Sequence, residues 1–357
     1  MTREPVLFRV DGTRAAGWEA LARCASFAYA LQRRRRPCHF LGQLQPAAPL
    51  VAALKRHGNE WIEADAPAGA AEDLEEITQE IRRIRPVAVV VDSPNCGPDY
   101  LAEVVTLGPL VVTIDSSAPF RFPNQLVVNP TLNIASSRDY DYCPGTQLLY
   151  GQRFAVVRSE VRRMRPIRAQ EPPEPARALV AFGDDPTNMT SRVTKLLLAN
   201  NKLARIDIIA RPQHEAVPKW QALAEEHKGR VSVAIEPNEV ALKISRCHFA
   251  LCDANSWALE FACVGVPTIL IVQDEVYWPT AQRLEEEGAS ICLGWHEAVT
   301  DSTIRQATQT LASDGHERRA MARVGRALVD GRGLDRLVTA LEILLHPSRK
   351  IDVREAA

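Results

Sequence analysis

The sequence predicts two α/β domains, each a doubly wound, Rossmann-like sheet, facing one another across a cleft. Three observations carry this. Short apolar runs alternate with stretches of helical spacing along most of the 357 residues. PVAVVVD (86–92), PLVVTID (109–115) and PTILIV (267–272) are nearly continuous in apolar residues, as strands of a parallel sheet covered on both faces are. The alternation is interrupted by SEVRRMRPIRAQEPPEPAR (159–177), rich in Arg, Pro and Glu and poor in apolar residues, which reads as an interdomain linker. The expected boundaries are therefore 1–158 for the first domain, 159–177 for the linker, 178–345 for the second domain and 346–357 for a tail.

In the first half, PVLFRV (5–10) reads as a buried strand. Gly17 to Arg36 has helical spacing, with Leu21, Cys24, Ala28 and Leu31 on one face. CHFLG (38–42) is strand-like, a helix is expected near Ala47–His57, and EWIEA is a short strand. Asp73 to Arg85 is amphipathic, with Leu74, Ile77, Ile81 and Ile84 on one stripe. LVVNP (126–130) and LLYG (148–151) extend the sheet. In the second half, strands are expected at 178–183, 205–211, 230–235, 247–253, 267–272 and 289–294. Two helices, about 296–312 and 315–345, close the chain.

Composition excludes several classes. Net charge is −1, so nothing draws the whole chain to nucleic acid or an anionic membrane. The basic run Arg33–Arg36 reads as a solvated helix end. No apolar run reaches the roughly 18 residues that span a bilayer, and the N-terminus lacks signal-peptide architecture. The eight cysteines form no C-x-x-C pair and no zinc-ligand spacing, and read as buried free thiols in a reducing cytoplasm. No metal or other cofactor is expected. His39 and His248 read as core histidines.

Right-handed crossovers make each sheet doubly wound, and ligands of such folds sit at the carboxyl ends of the strands. There the sequence places Asp11 and Gly17 after the first strand, and Asp92 after VAVVVD. It places Gly183, Asp185 and Asn188 after LVAFG, and Asn255, Ser256 and Glu260 after HFALCD. FGDDPTNMT and DANSWALE each put polar residues at a helix start, where backbone N–H groups can receive a diphosphate. The first equally reads as a self-capped helix with Asp185 or Thr187 as cap. Glu260, one turn into its helix, can accept hydrogen bonds from a ribose, or is a plain surface residue. Trp257 and Trp278 flank this region and can stack on a base or sugar or pack in the core.

These stretches together resemble the UDP-2,4-diacetamido-2,4,6-trideoxy-β-L-altropyranose hydrolases of pseudaminic acid biosynthesis. That family has a GT-B-like fold related to the UDP-GlcNAc transferase of peptidoglycan synthesis. The resemblance runs over about residues 5–340. FRVDG with GWEALARC is similar to the family's R-x-D-(G/S)…G-x-G-H-x-x-R-C opening, and VVVDSPNCGPDY to its strand ending in Asp-His-Tyr-Gly. YGQRFAVVRSEV is similar to its G-x-x-Y-A-L-L-R-x-E-F segment, AFGDDPTNMT to FGG-x-DP-x-N-x-T, and CDANSWALE to G-A-G-G-S-T-x-W-E. The departures fall on the chemistry. The position of the catalytic histidine is Ala20, and the His-Tyr pair is Ser93-Pro94. The paired glycines of the second-domain loop are Ala254 and Asn255, and Val276 and Tyr277 replace an asparagine–glutamine segment.

The resemblance implies a UDP-sugar ligand and attack of water on its anomeric carbon, with UDP leaving. Losing a general base typically costs about 10²–10⁴-fold in rate, so three readings stay open. One is a hydrolase whose base is a carboxylate, Glu19, Asp11 or Asp92. Another is a GT-B glycosyltransferase using a UDP-sugar donor. The third is a relative that binds a sugar nucleotide without turnover.

Overall fold

The computed structural model describes residues 3–13, 16–45, 54–55, 58–132, 140–211 and 214–346. The helix expected near 47–57 and the tail beyond residue 346 lie largely or wholly outside these. The described residues form two compact units. Met1–Val156 with Arg332–Ala357 make unit 1, and Val157–Gly331 make unit 2.

Unit 1 is a seven-stranded sheet in the order β3-β2-β1-β4-β5-β6-β7. Its strands are β1 (Val6–Arg9), β2 (Cys38–Gly42), β3 (Glu60–Glu63), β4 (Ala88–Val91), β5 (Leu110–Ile114), β6 (Leu126–Asn129) and β7 (Gln147–Tyr150). Every neighbouring pair is parallel. Alternate residues of β1 point to opposite faces, so Val6 and Phe8 enter one core and Leu7 the other. Helix α1 (Glu19–Gln32) covers the first face with Leu21, Cys24, Phe27, Ala28 and Leu31. Helices α2 (Ala71–Ile84) and α3 (Pro98–Thr106) cover the second. Buried helices on both faces are why β4 and β5 lack polar alternation.

Unit 2 is a six-stranded parallel sheet in the order β10-β9-β8-β11-β12-β13. Its strands are β8 (Arg177–Ala181), β9 (Arg205–Ile209), β10 (Val231–Ala234), β11 (Phe249–Cys252), β12 (Thr268–Val272) and β13 (Ser290–Trp295). Its helices are α4 (Ser159–Arg162), α5 (Met189–Leu198), α6 (Val217–Glu226), α7 (Pro237–Arg246), α8 (Ser256–Val264), α9 (Trp278–Glu286), α10 (Asp301–Ser313) and α11 (Gly315–Leu328). Asn255 caps the start of α8, and Gly265 ends it in the left-handed conformation, φ 80°. A side chain at that φ would be strained.

The expected boundaries differ from these units in two places. The stretch 159–177 is part of unit 2, not a free linker. Its arginines satisfy carbonyl groups that helix ends leave unpaired. Arg165 donates to Arg326 O at 2.7 Å and Val329 O at 3.0 Å, at the end of α11, and also to Cys263 O. Arg168, buried, donates to Cys247 O at 2.8 Å and Gly265 O at 3.0 Å, beyond α7 and α8. Arg318 pairs with Glu171 and Glu174. The composition of a linker here belongs to a staple.

The second difference is at the C-terminus. The chain closes with three helices rather than two, because Gly331 turns in the left-handed region, φ 75°. The last, α12 (Gly333–Leu345), belongs to unit 1, where Leu334, Leu337, Val338 and Leu341 join the core beside α1. Buried Arg36, at the end of the basic run, donates to Glu342 of α12 at 2.6 and 3.0 Å.

The two histidines fare differently. His39 is no core residue: on β2 it is paired at 2.7 Å with the exposed Glu60. His248 is fully buried, and its Nδ1 accepts the Arg177 N–H at 3.1 Å, which leaves the ring proton on Nε2. Burial pushes its pKa below the ordinary imidazole value. Between that lowered value and about 6.5, the unfolded chain therefore binds a proton that the folded chain refuses. Stability is full above about 6.5 and falls as the pH drops toward the folded value. Urea unfolding midpoints are expected to decline over this window, and less steeply for His248→Gln. Equal slopes would remove His248 as a source.

Candidate functional site

In each sheet the strand order reverses once, between β1 and β4 in unit 1 and between β8 and β11 in unit 2. Loops diverge at such a point and leave a crevice at the carboxyl ends of the strands. All ten sequence-predicted site residues fall on the loops or helix starts after these four strands.

In unit 1, Gly17 takes a left-handed φ of 75° and admits the turn into α1, whose first residue is Glu19. Asp11 is committed elsewhere. Fully buried Arg9 donates to it at 2.6 Å, and the backbone N–H groups of Gln43 and Ala68 each donate at 2.9 Å. Arg9 also pairs with buried Asp73 at 2.6 Å, which in turn accepts the Gly69 N–H. Asp11 therefore ties the loops after β2 and β3 to β1. Asp92 is likewise held. Arg23 clamps it with two bonds, 2.9 and 2.8 Å, and the Cys24 thiol lies 3.5 Å away. Burial opposes the Arg23 charge, but Asp92 more than offsets it and keeps the guanidinium protonated above its ordinary range. Burial and Asp92 together push the Cys24 thiol well up, so it is no thiolate nucleophile. The charge of Glu19 acts on Arg23 one turn along α1.

In unit 2, Gly183 follows β8 with φ 73°. Asp185 resolves the open alternative in favour of capping. Its two oxygens accept the N–H groups of Met189 (2.7 Å) and Thr190 (2.9 Å), the first amides of α5. Burial raises its pKa against the pull of those bonds. A carboxylate thus already sits where a diphosphate was expected at this helix start. Asn188 adopts the left-handed conformation just before α5, φ 57°, a region asparagine tolerates. Thr187 donates to Gln273 at 2.6 Å, joining the β8 loop to the end of β12.

The start of α8 is arranged differently. Asn255 Oδ1 accepts the Trp257 N–H at 3.0 Å, and Ser256 is the first helical residue. Glu260 is neither a surface residue nor open to a ribose. It is buried, and accepts Arg158 N at 3.0 Å, Nε at 2.8 Å and Nη2 at 2.6 Å. A ligand hydroxyl would have to displace the guanidinium. Arg158 lies 4.2 Å over the Trp257 ring, and Trp257 stacks on Phe261, so this tryptophan is core. Trp278 keeps 37% of its surface exposed.

Four cations escaped the sequence reading: Arg9, Arg23, Arg158 and Arg211. The signals were present in FRVD, ALARC, VVRSE and the strand ending DIIAR, but their carboxylate partners Asp73, Asp92, Glu260 and Asp184 stand 64, 69, 102 and 27 positions away. Among the described residues no cluster of three or more His, Cys, Asp or Glu could hold a metal, and no helix is long and apolar enough to cross a membrane.

The fold is that of the GT-B glycosyltransferases and sugar-nucleotide epimerases. MurG of Acinetobacter baumannii matches with a TM-score of 0.65, covering 95% of this chain and 99% of its own, at 16% identity. The spinosyn rhamnosyltransferase SpnG complexed with thymidine diphosphate gives 0.65 over 95% and 100%, at 15% identity. UDP-GlcNAc 2-epimerase from Neisseria meningitidis, bound to UDP-GlcNAc, gives 0.64 over 94% and 99%, at 12% identity. No known family profile matches the chain. In sequence it is 29% identical over 135 residues to the spore coat polysaccharide biosynthesis protein SpsG of Bacillus subtilis, covering 38% of this chain and 39% of SpsG. It is 20% identical over 212 residues to the uncharacterized protein MJ1062 of Methanocaldococcus jannaschii, covering 57% and 44%. The matched stretches span less than half of either curated relative. Such likeness establishes the fold; function rests on the site.

Proposed function

We propose that the chain binds a UDP-sugar in surface-glycan biosynthesis and releases UDP by attack of water on the anomeric carbon. The observation that carries this reading is the meeting of Gly183 and Asn255 at the β8/β11 switch point. Left-handed Gly183 brings backbone close, and the Asn255 amide nitrogen lies 3.2 Å from where a Cβ on Gly183 would stand. Groups so placed suit a diphosphate. The complexes of SpnG with thymidine diphosphate and of the Neisseria epimerase with UDP-GlcNAc, in the same fold, support it. Asp11 and Asp92 pair with arginines, and we assign the proton of the attacking water to Glu19, the first residue of α1 after the Gly17 turn.

A panel of UDP-sugars assayed for UDP release tests this. Glu19→Gln is expected to lower turnover about 10²–10⁴-fold with UDP affinity unchanged; unaltered turnover would remove Glu19 from the mechanism. Candidate acceptor alcohols in the same assay separate hydrolysis from transfer, the chemistry of the named transferase SpnG. A second reading, sugar-nucleotide binding without turnover, is favoured by the locking of Asp11 and Asp92. It predicts UDP-sugar binding with no UDP released in either assay.

A further inference from the structure

Strand β10 ends the sheet of unit 2, beyond β9 and β8. Its pairing with β9 runs in unbroken register. Arg230 O accepts the Ile206 N–H at 2.7 Å, and Ala234 O accepts the Ala210 N–H at 3.0 Å. Backbone groups alternate in direction along a strand, so residues 230, 232 and 234 bond to β9 while Val231 and Val233 face away from the sheet. The Val231 N–H is taken by His227 O at 3.1 Å. The Val231 carbonyl and both backbone groups of Val233 have no strand partner among the described residues. Space lies open beside them: a cavity of about 550 Å³ runs along β10 and α6, lined in part by Gln221, Glu225, Lys228 and Val233. The edge is also stiff. Ser232 donates to buried Asp207 at 2.5 Å and accepts from Lys243 of α7 at 2.8 Å, and Lys243 donates to Asp207 at 3.0 Å. A strand so fixed loses little freedom when another strand joins it.

The two ends of β10 differ in charge. Lys228 precedes the strand, exposed and resting only loosely on exposed Glu225, 3.7 Å away. Glu236 follows the strand, exposed, as the N-cap of α7. A parallel copy would set like charge beside like. An antiparallel copy sets Lys228 of each strand near Glu236 of the other, twice across a two-fold axis. We propose that β10 is a dimerisation edge: two copies of the chain pair their β10 strands antiparallel, and the Val233 N–H of each donates to a carbonyl of the other. The sheets of unit 2 then continue into one another, and the open backbone of both edges is satisfied. The loops after β8 and β11 belong to strands further into the sheet, so the dimer asks nothing of the nucleotide reading.

The test is sedimentation velocity of the full chain from about 1 to 100 μM, with amide hydrogen exchange at both ends of that range. Wild type is expected to pass from monomer to dimer, and exchange at Val233 to slow as it does. Val233→Pro removes the outward N–H without touching a bond to β9, and is expected to stay monomeric throughout. Lys228→Glu and Glu236→Lys are each expected to weaken the dimer about fivefold or more, since each sets like charges together twice. The double variant restores both pairs with the signs exchanged and is expected to return to within about twofold of wild type, a recovery that damage to the fold cannot imitate. Wild type that is monomeric at about 100 μM overturns the proposal. So does a dimer that all the variants leave intact, one whose Val233 amide exchanges equally at both concentrations, or one that the double variant fails to recover.

Discussion

Arg158→Ala is expected to destabilise unit 2 by about 2–4 kcal/mol. Removing one partner of a buried ion pair typically costs about 3–5 kcal/mol, because the other charge is left buried without compensation. Here Glu260 is that charge, its side chain 2% exposed. Two features reduce the loss. The Arg158 side chain is 27% exposed, so water can partly replace it, and the backbone N–H of residue 158 still reaches Oε1. The stacking on Trp257 is lost as well, a contact worth about 0.5–2 kcal/mol. For a unit of this size, each kcal/mol lowers the melting temperature by about 2–4 °C, so a fall of about 4–16 °C is expected by scanning calorimetry. Arg158→Met combined with Glu260→Gln should recover most of it, since a neutral amide carries no stranded charge and its oxygen still accepts the backbone N–H. A single variant that melts within about 1 °C of wild type would show that Glu260 finds another partner, and the carboxylate would then be open to a ligand after all.

This pair also shows what a sequence exposes and what it hides. Strands and helices declare themselves locally. PVAVVVD is a sheet interior because no polar residue breaks it, and Leu21, Cys24, Ala28 and Leu31 are a buried stripe because 3.6-residue spacing puts them on one face. Strand ends follow from the strands, so the loops after them were legible. The use of a charged residue on those loops was not. Asp11, Asp92, Asp185 and Glu260 stand where catalytic or ligand groups belong, yet each is consumed by an arginine or a helix start. Whether a carboxylate is spent depends on partners brought in by folding, and neither composition nor periodicity states which arginine comes near. The same holds for 159–177. Arginine and proline there look like a solvated joint until the carbonyl ends of α7, α8 and α11 are in place to receive the guanidiniums.

Gly333→Ala is expected to be the most damaging small substitution at the return of the chain into unit 1. A Cβ on Gly333 would stand 2.1 Å from Ala155 O and 2.7 Å from Phe154 C. Both are backbone atoms, and no side-chain rotation relieves the overlap. Either the segment 154–155 or α12 must move. Moving α12 is the worse choice, because Leu334, Leu337, Val338 and Leu341 follow within two turns and all four are buried. Each is worth about 1.5–3 kcal/mol when fully buried. The Glu342 pair with Arg36 lies at the far end of the same helix and resists a tilt. Overpacking of this kind costs about 1–3 kcal/mol, occasionally more, and the rigid neighbours put Gly333→Ala at or above the top of that range. Gly97→Ala is the matched control. Gly97 is the N-cap of α3 at φ −72° with nothing within 4 Å of a Cβ, so its variant meets no overlap and loses only the N-cap preference for glycine over alanine, about 0.5–1 kcal/mol. Urea unfolding of the two variants separates the outcomes. A loss confined to Gly333→Ala shows that α12 is an integral part of the unit 1 core. Equal, small effects at both positions would mean that α12 docks loosely enough to yield, and that the core of unit 1 is complete without its four apolar residues.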